Sequence, residues 1–461
     1  MQTYNQPIGE LSVTGSSLVG KKILFANFPG DGHFNPLTGL AAHLRAIGAD
    51  VRWYTSNIYA GKIRRLGIPH YPLKKAMDVN AETMDTLFPE RNRIKGMIPK
   101  LNFDIINVFI LRGPEYYADL MEIHKEFPFE LVVADSAFTG IPFITDKMRI
   151  PVAGVGVFPL TETSKDLAPS GLAITPSDTF FGRTRQAFLR LLAKNVIFRK
   201  PNKVMKKLFE EYGIEHHNLG IFDLLINKSD VFLQSGTPGF EYHRSDLGHN
   251  IRFVGPLLPQ QPAKIETTWF DVRLNQYADI IVVTQGTVEK NTEKIITPVL
   301  EAFKNTDTLV IATTGGSGTA ELKKRFPEKN LIIEDFIPFG DIMPYADVYI
   351  TNGGYGGVML GIENRLPLIV AGVHEGKNEI NARVGYFNLG INLKTEWPKP
   401  GQIKKAVQEI LGNPAYRENV VELAEEFGKY DPNRLTEFYL KELFARGSKA
   451  GSNITIKTSI N

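Results

Sequence analysis

The chain has 461 residues, of which 43% are hydrophobic and 22% charged, a composition typical of globular proteins with two or more domains. Its 53 basic and 50 acidic residues leave a net charge of +3, which argues against a protein that binds nucleic acid through bulk charge. It has no cysteine, which excludes a disulfide scaffold, thiolate catalysis and metal centres with thiolate ligands.

Strands and helices alternate along the N-terminal half. A leader over 1–20, expected to be flexible, precedes the apolar run Lys22–Phe28, which predicts a buried strand. Apolar residues then recur at helical spacing, with Pro36 as the first helical residue and Asn35 as the N-cap. Asp50–Thr55 predicts the next strand, so this region forms a βαβ unit, which implies a parallel sheet.

Two further central strands are predicted over 130–135 and 150–157, within an N-terminal domain that spans 21–255. Residues 181–213 predict a helical region rich in arginine and lysine. The plainer interpretation of this charge is a solvated helix face, and the alternative is a surface for a membrane or an acidic partner. A proline-rich segment with weak periodicity, GPLLPQQP, predicts a linker over 256–275.

The C-terminal half repeats the alternation and predicts a second doubly wound domain over 276–430. Its strands are predicted over 280–284, 308–313, 331–335, 348–351 and 367–371, with helices over 291–304 and 356–364. The predicted fold class is therefore α/β, with two doubly wound, Rossmann-like domains facing across a cleft. Ligands of such sheets bind beyond the carboxyl ends of the strands. A flexible tail is expected over 447–461.

No apolar segment approaches the roughly 20 residues that a membrane-spanning helix requires. The first twenty residues have neither a basic start nor a continuous apolar block, so they do not resemble a signal peptide. Together with the lack of cysteine, these features favour a cytoplasmic protein without a transmembrane segment.

Two groups that could carry acid–base chemistry follow strands of the N-terminal half. His33 comes after the first strand and beside a helix N-terminus, whose dipole disfavours the imidazolium and keeps the ring available as a base. Asp135 ends the VVAD strand, where a carboxylate could orient the ring and stabilise its protonated form. The plainer alternative is that His33 caps a turn and Asp135 caps a helix. The other eight histidines show no metal-ligand spacing.

Three glycine-rich turns follow strands of the C-terminal half, at Gln285–Thr287, Thr313–Gly316 and Asn352–Gly357. Glycine lets the backbone approach a phosphate closely, and helix N-termini offer free N–H groups, so the turns favour a diphosphate ligand. None matches a P-loop or the G-x-G-x-x-G of a dinucleotide site. The chain also lacks an Asp-x-Asp pair, so we expect backbone N–H groups, and not a bound metal, to meet the diphosphate charge.

Five motifs resemble, in order, those of nucleotide-sugar glycosyltransferases with the GT-B fold. They are G-x-G-H-F-N-P at Gly30–Pro36, V-V-A-D ending at Asp135, V-T-Q-G-T at Val283–Thr287, D-F-I-P at Asp335–Pro338 and T-N-G-G-Y-G-G at Thr351–Gly357. The similarity is greatest to the inverting bacterial macrolide-type and plant UGT-type enzymes and spans about residues 21 to 446. It implies an N-terminal acceptor domain, a C-terminal UDP-sugar domain and a last helix, over 431–446, that crosses back to the first domain.

The resemblance implies roles for individual residues. His33 falls on the family's general base and Asp135 on its carboxylate partner. Phe336 takes the place of the aromatic residue that stacks on the uracil, and Ile337 supplies backbone polar groups beside it. The other residues expected at the donor site are Gly286, Thr287, Thr314, Gly315, Asn352, Gly353, Gly354, Tyr355, Gly356, Gly357, Lys377 and Asn378.

Three positions depart from the family pattern. Asn352 stands where many relatives have a histidine that contacts the β-phosphate, and its amide can donate a hydrogen bond but brings no charge. Leu360 stands where plant enzymes have a ribose-binding glutamate. Lys377 and Asn378 stand where the family has an Asp-Gln pair that binds the sugar.

Together these features predict an inverting, metal-independent glycosyltransferase that needs no cofactor. It would move a hexose, expected to be glucose, from a UDP-sugar to a hydroxyl group of a lipophilic or aromatic small molecule. The acceptor pocket is expected among aromatic-rich segments over 70–120 and 158–190, although large apolar side chains are commonly core. The stretch 161–182 is expected to be a mobile lid. The alternatives are a nucleotide-sugar epimerase of the same shape and a non-catalytic sugar-nucleotide-binding protein.

Overall fold

The computed structural model describes residues 17–259, 268–286 and 289–452, with side chains described through residue 446. Most of the predicted leader lies outside these residues, as do the middle of the predicted linker and the end of the predicted tail. The predicted donor-site residue Thr287 also lies outside them.

Within residues 17–259, a seven-stranded sheet forms the centre of the N-terminal domain. Its strands run in the order β3-β2-β1-β4-β5-β6-β7, and every neighbouring pair is parallel, as the βαβ pattern predicts. They are β1 (Lys22–Ala26), β2 (Asp50–Thr55), β3 (His70–Pro72), β4 (Leu131–Asp135), β5 (Val152–Gly156), β6 (Val231–Ser235) and β7 (Ile251–Gly255).

Helices cover both faces of this sheet, so its central strands are continuous apolar runs. Alternate residues of β1 enter two different cores, with Ile23 and Phe25 on one face and Leu24 and Ala26 on the other. The helices are α1 (Asp31–Ala46), α2 (Ala60–Arg65), α3 (Met84–Leu87), α4 (Met97–Asp104), α5 (Gly113–Glu126), α6 (Ile141–Phe143), α7 (Phe180–Leu192), α8 (Arg199–Tyr212) and α9 (Ile221–Lys228).

Helix α1 begins at Asp31 and not at Pro36, so the predicted start was wrong. Gly30 is the N-cap, and its carbonyl accepts hydrogen bonds from the N–H groups of His33 at 3.0 Å and Phe34 at 2.9 Å. Pro36 therefore lies inside the helix, where its missing N–H forfeits one backbone hydrogen bond. Two glycines and a proline concealed this extra turn in the sequence. Its consequence is that His33 lies in the first turn of α1.

A six-stranded parallel sheet, formed by described residues after 268, is the centre of the C-terminal domain. Its order is β10-β9-β8-β11-β12-β13. The strands are β8 (Asp279–Thr284), β9 (Thr308–Thr313), β10 (Leu331–Glu334), β11 (Val348–Thr351), β12 (Leu368–Val370) and β13 (Gly390–Asn392). The predicted fold class, two doubly wound α/β domains, is confirmed.

The helices of the C-terminal domain again lie on both faces of the sheet. Helix α10 starts later than predicted, because the Asn291 side chain accepts the Glu293 N–H at 3.1 Å and holds a turn ahead of the helix. The helices are α10 (Ile296–Phe303), α11 (Thr319–Arg325), α12 (Phe339–Ile342), α13 (Tyr355–Glu363), α14 (Lys377–Tyr386), α15 (Pro400–Gly412) and α16 (Ala415–Phe427).

The last helix, α17 (Pro432–Ser452), returns to the N-terminal domain. It enters the core that contains β1 and α1 through Leu435, Tyr439, Leu440 and Leu443. It also runs past residue 446, so the first residues of the predicted tail, 447–452, are helical. Adding residues to an existing helix avoids the free-energy cost of nucleation. This gain outweighs the low helix propensity of the glycines in this stretch. None of the helices formed by the described residues is both long and apolar enough to cross a membrane.

Candidate active site

The carboxyl ends of the two sheets face each other across the domain boundary. Ser235 ends β6 in the N-terminal domain, and Tyr355 begins α13, which follows β11 in the C-terminal domain. The Tyr355 hydroxyl donates a hydrogen bond to the Ser235 carbonyl at 2.8 Å. Because all strands within each sheet are parallel, the loops that follow them open toward this boundary and form the cleft.

The Tyr355 side chain lies at the domain boundary, so its predicted role at the donor site would fall to its backbone. It is buried beside Phe240, with ring centroids 6.3 Å apart. Burial raises the pKa of Tyr355, so its hydroxyl stays protonated and remains a hydrogen-bond donor. Only its backbone N–H is left to face a ligand.

The structure brings His33 and Asp135 together. His33 Nδ1 forms a hydrogen bond with Asp135 Oδ2, and the carboxylate is fully buried. The two carboxylate oxygens also accept the N–H groups of Phe28 at 2.7 Å and Ala137 at 2.9 Å. Because a carboxylate only accepts hydrogen bonds, the proton lies on Nδ1 and Nε2 is left as the basic nitrogen. The arrangement can take a proton from a hydroxyl group and stabilise the resulting imidazolium.

Aromatic side chains enclose the His33 ring. Phe28 and Phe158 meet it edge to face, with ring centroids 5.2 and 5.0 Å away. Phe28 in turn stacks on Phe109 at 4.9 Å. A Cβ at Gly30 would lie 3.0 Å from His33 Cδ2, so a side chain there would crowd the ring. These contacts fix the imidazole orientation and lower the local dielectric, which strengthens its interaction with Asp135.

The aromatic residues of the predicted acceptor segments have three different locations. Tyr116 is buried in the core of the N-terminal domain, and Phe180, Phe181 and Phe188 point into solvent. Others form a small apolar cluster, separate from the main cores, that includes Phe28 and so reaches His33. We call this cluster the acceptor wall, and it comprises Phe28, Met77, Val79, Met84, Phe88, Phe103, Val108 and Phe109.

The N-terminus of α13 is built to bind an anion. Gly354 is its N-cap, and the first helical hydrogen bond runs from the Val358 N–H to the Gly354 carbonyl at 2.9 Å. The N–H groups of Tyr355, Gly356 and Gly357 have no acceptor among the residues that the structure describes. A Cβ at Gly356 would meet no atom within 4 Å, so its backbone is open to a ligand. Free N–H groups at the positive end of a helix are a phosphate-binding arrangement.

Asn352 joins the glycine turns that follow β8 and β11. Its Nδ2 donates to the Gln285 carbonyl, and its Oδ1 accepts the Gly354 N–H at 3.2 Å. One of its two amide N–H bonds is therefore already used in joining the two turns. The other is left to donate to a phosphate. Gly286, with φ of +79°, packs under it, since a Cβ there would lie 3.3 Å from Asn352 Nδ2.

Gly353 permits the turn after β11 to touch α14. Its φ is +78°, and a Cβ at this position would lie 1.8 Å from Asn381 Oδ1. Asn381 is fully buried on α14 and donates to the Gly372 carbonyl at 2.9 Å. No sequence pattern indicates a role for Asn381, because its neighbours in the fold lie in other loops.

The turn after β9 offers fewer donors than predicted. The N–H groups of Thr314 and Gly315 bond to the carbonyls of Glu334 at 3.0 Å and Asp335 at 2.9 Å. The Thr314 hydroxyl is buried against Thr319. These two residues shape the turn and have no N–H left for a diphosphate, so any contact with the donor, which stays a prediction, would use their other atoms.

Phe336 and Ile337 form an open platform beside that turn. The Phe336 side chain is 72% exposed, and its ring lies 3.9 Å from where a Cβ on Gly316 would be. The Ile337 side chain is buried in the core, whereas its backbone N–H and C=O make no hydrogen bond within the described part of the chain. An exposed ring next to a free donor and acceptor suits stacking on, and pairing with, a nucleobase.

Lys377 and Asn378, predicted to face the sugar, are both engaged by protein groups. Lys377 Nζ pairs with the Glu375 carboxylate at 2.5 Å. Asn378 Nδ2 donates to the Gly171 carbonyl at 2.7 Å. Both side chains are thus engaged by protein groups, and their contact with the sugar stays a prediction.

The predicted mobile lid is tied down in this structure. Residues 161–179, which we call the strap, bond to the body of the N-terminal domain, with Ser164 Oγ donating to Asp246 at 2.6 Å. Gln186 of α7 donates to the Asp166 carbonyl at 2.9 Å. Together with Asn378, these contacts hold the strap over the boundary between the two domains.

A buried charge network, which the sequence did not predict, holds the same region. Arg383 on α14 pairs with Glu241 of the N-terminal domain at 2.9 Å and with Glu379 at 3.2 Å. Glu379 also accepts the strap N–H groups of Gly171 at 2.8 Å and Ala173 at 2.7 Å. Burial of Arg383 lowers its pKa, but the negative charges of Glu241 and Glu379 outweigh this effect, and the pKa is raised. The network thereby links both domains and the strap.

Comparisons with known proteins agree with this geometry. Residues 297–434 match the family model described as erythromycin biosynthesis protein CIII-like, C-terminal domain. The chain is 32% identical over 414 residues to 4'-demethylrebeccamycin synthase of Lentzea aerocolonigenes, covering 90% of this chain and 97% of that protein. It is 30% identical over 444 residues to UDP-glucosyltransferase 1 of Beauveria bassiana, covering 91% and 94%.

Solved structures show the same fold at lower identity. The glycotransferase of kitacinnamycin superposes with a TM-score of 0.69 at 17% identity, covering 93% of this chain and 99% of that one. The calicheamicin glycosyltransferase CalG4 superposes with a TM-score of 0.69 at 18% identity, covering 95% and 100%. These likenesses confirm the GT-B arrangement of the two domains.

Proposed function

Because the chain belongs to the macrolide-type family of UDP-sugar-dependent GT-B glycosyltransferases, we propose that it moves glucose from UDP-glucose to a small-molecule acceptor. The acceptor group is a hydroxyl of a lipophilic or aromatic molecule, and the configuration at the anomeric carbon inverts. One observation carries the proposal. Asp135 holds Nδ1 of His33 at the N-terminus of α1, and α1 contacts α13, whose N-terminus has free N–H groups. A base and an anion site thus share one cleft.

His33 acts as the general base in this mechanism. Its Nε2 takes the proton of the acceptor hydroxyl while the oxygen attacks the anomeric carbon. Asp135, which is buried and bonded to Nδ1, stabilises the imidazolium that forms. Base catalysis of this kind contributes about 10²–10⁴-fold to the rate.

The leaving group departs on the opposite side of the sugar. The bond between the anomeric carbon and the diphosphate oxygen breaks, and its electron pair leaves with UDP. The N–H groups of Tyr355, Gly356 and Gly357 are placed to stabilise the charge that grows on the diphosphate. The proton on His33 is then released to water, which restores the base.

The nature of both substrates is inferred from separate features. The acceptor wall is apolar and reaches His33 through Phe28, which supports a lipophilic or aromatic acceptor. Relatives of similar length that carry the name UDP-glucosyltransferase, such as those of Beauveria bassiana and Starmerella bombicola, support glucose as the sugar. The exposed Phe336 ring and the free peptide groups of Ile337 support a nucleobase beside them.

Transfer is tested by mass spectrometry. The full chain is incubated with UDP-glucose and a panel of phenolic and polyketide alcohols, with and without EDTA. We expect at least one acceptor to gain a hexose, and we expect EDTA to leave the rate unchanged, since the diphosphate charge is met by backbone N–H groups. Binding of UDP-glucose without any product would contradict the proposed class of acceptor. A rate that EDTA abolishes and Mg²⁺ restores would contradict metal-independent transfer.

Phe336→Ala is expected to raise KM for UDP-glucose about 5- to 150-fold with little change in kcat, because stacking on a base contributes about 1–3 kcal/mol. Phe336→Trp should keep KM near the wild-type value. Phe270→Ala, which removes another exposed aromatic side chain of the C-terminal domain, serves as the control and should change neither constant. Steady-state kinetics with varied UDP-glucose give the answer, and an unaltered KM in Phe336→Ala would refute the stacking role.

A further inference from the structure

The outward face of α7 is apolar. Phe180, Phe181 and Phe188 are 79%, 84% and 63% exposed, and Leu191 is 62% exposed. At about 100° per residue, these four side chains fall on one face of the helix, and Gln186, which is buried against the strap, falls on the other. Surface helices of globular proteins ordinarily present their polar side to solvent. In α7 this order is reversed, so its outward face is unpartnered.

Basic side chains border this apolar face. Arg183 and Arg185 are exposed on either side of it, and they are followed by exposed Lys194, Arg199 and Lys200. Between Asp178 and Glu210 the sequence contains no acidic residue, whereas it contains nine arginines and lysines. The basic side chains are thus exposed, as a solvated helix face requires, but they border a stripe of exposed apolar side chains.

A second group of exposed apolar side chains lies on α4, where Met97, Ile98 and Leu101 are exposed. Asn102 of the same helix donates a hydrogen bond to the Ile197 carbonyl at 2.8 Å. This bond places α4 against the segment that continues α7. Exposed apolar side chains therefore lie on both helices, and grouped apolar side chains on a surface mark interaction sites.

We propose that α7, together with α4, is a docking surface for membranes that contain anionic phospholipids. The aromatic and leucine side chains would enter the boundary between headgroups and acyl chains, and the arginines and lysines would contact the negative headgroups. Arg183 pairs with Asp178 at 3.4 Å, and the nine basic residues that follow Asp178 without an acidic one select a negative surface over a neutral apolar partner. The proposal does not depend on the sugar transfer, because its side chains are none of those assigned to the base or the donor site.

Vesicle sedimentation with the full chain tests this proposal. We expect binding to vesicles of phosphatidylcholine mixed with phosphatidylserine, at least tenfold weaker binding to phosphatidylcholine alone, and a loss of binding as salt is raised. Because each basic residue near the surface contributes about fivefold, Arg183→Gln with Arg185→Gln should weaken binding about 25-fold. Phe180→Ser with Phe181→Ser and Phe188→Ser should abolish it.

Matched variants on the C-terminal domain distinguish binding through α7 from nonspecific binding to vesicles. Phe270→Ser removes an exposed aromatic side chain, and Lys404→Gln with Lys405→Gln removes two exposed charges on α15. Both should bind vesicles as the wild type does. The proposal is overturned if anionic vesicles are not bound, or if the α7 variants bind as well as the controls. It is also overturned if the protein does not bind vesicles and sedimentation velocity shows self-association that the phenylalanine variant abolishes. The partner of this face is then a second copy of the chain.

Discussion

Replacing His33 by alanine is expected to lower kcat by about 10²–10⁴-fold while leaving the Kd for UDP-glucose nearly unchanged. The ring supplies the only basic nitrogen that the Asp135 contact orients, and the free N–H groups of α13, proposed to face the donor, do not depend on it. The loss should therefore appear in the chemical step. Single-turnover rates and calorimetric titration with UDP-glucose separate the two quantities.

Two further variants make this result specific. His43→Ala changes another histidine of the same helix, one that pairs with Glu437 at 3.1 Å, and it should leave kcat within about twofold of wild type if His33 alone is the base. Asp135→Asn should also lower kcat strongly, because the imidazolium loses its carboxylate partner. Since the two residues act as a unit, the double variant should be no slower than His33→Ala. Wild-type turnover in His33→Ala would show that the base is another group.

Replacing Arg383 by methionine is expected to lower the free energy of unfolding by about 3–5 kcal/mol. The change leaves Glu241 and Glu379 buried at the domain boundary without their shared cation. Glu379 would still accept the strap N–H groups, and Glu241 would keep only Arg244, 3.6 Å away, as a cation partner within the described part of the chain. Scanning calorimetry measures the effect. The thermal transition in which the domain boundary is disrupted should move to lower temperature.

The control for this prediction is an ion pair of the same type on the surface. Arg417→Met breaks the contact with Asp347, whose atoms lie 3.5 Å apart in a partly exposed position, and should cost less than about 1 kcal/mol. Adding Glu241→Gln to Arg383→Met should increase the loss, because Arg244, which lies 3.6 Å from Glu241, is then buried without this carboxylate. If Arg383→Met and Arg417→Met unfold at the same temperature, the network does not stabilise the domain boundary.

The local parts of the fold were predictable because they rest on local physics. Residues 50–55, 308–313 and 348–351 are strands with the predicted bounds, since each is short, rich in β-branched or aromatic side chains and bounded by turn-forming residues. The pairing of His33 with Asp135 followed from their positions at strand ends, because parallel strands bring their carboxyl ends to one edge. The start of α1 was missed, since Gly30, Gly32 and Pro36 disfavour helix in isolation and only the folded context overrides them.

The long-range contacts could not be predicted from spacing. Arg383 and Glu241 are 142 positions apart, and Asn378 and Gly171 are 207 apart, so no local pattern joins them. Their pairing nevertheless decides which side chains remain free for a ligand, as Asn378 shows. The orientation of α7 was equally hidden, because periodicity reveals that Phe180 and Phe188 share a face but not whether that face meets the core or solvent.

The anomeric configuration of the product is the sharpest test of the proposed chemistry. UDP-glucose carries an α-linked sugar, and attack by an oxygen activated at His33, opposite the departing diphosphate, requires inversion. We therefore expect a β-glucoside, recognised in the proton NMR spectrum of the purified product by a large coupling between the H1 and H2 protons of the sugar. An α-glucoside, formed at a rate that His33→Ala does not change, would contradict both the direct displacement and the base assigned to it.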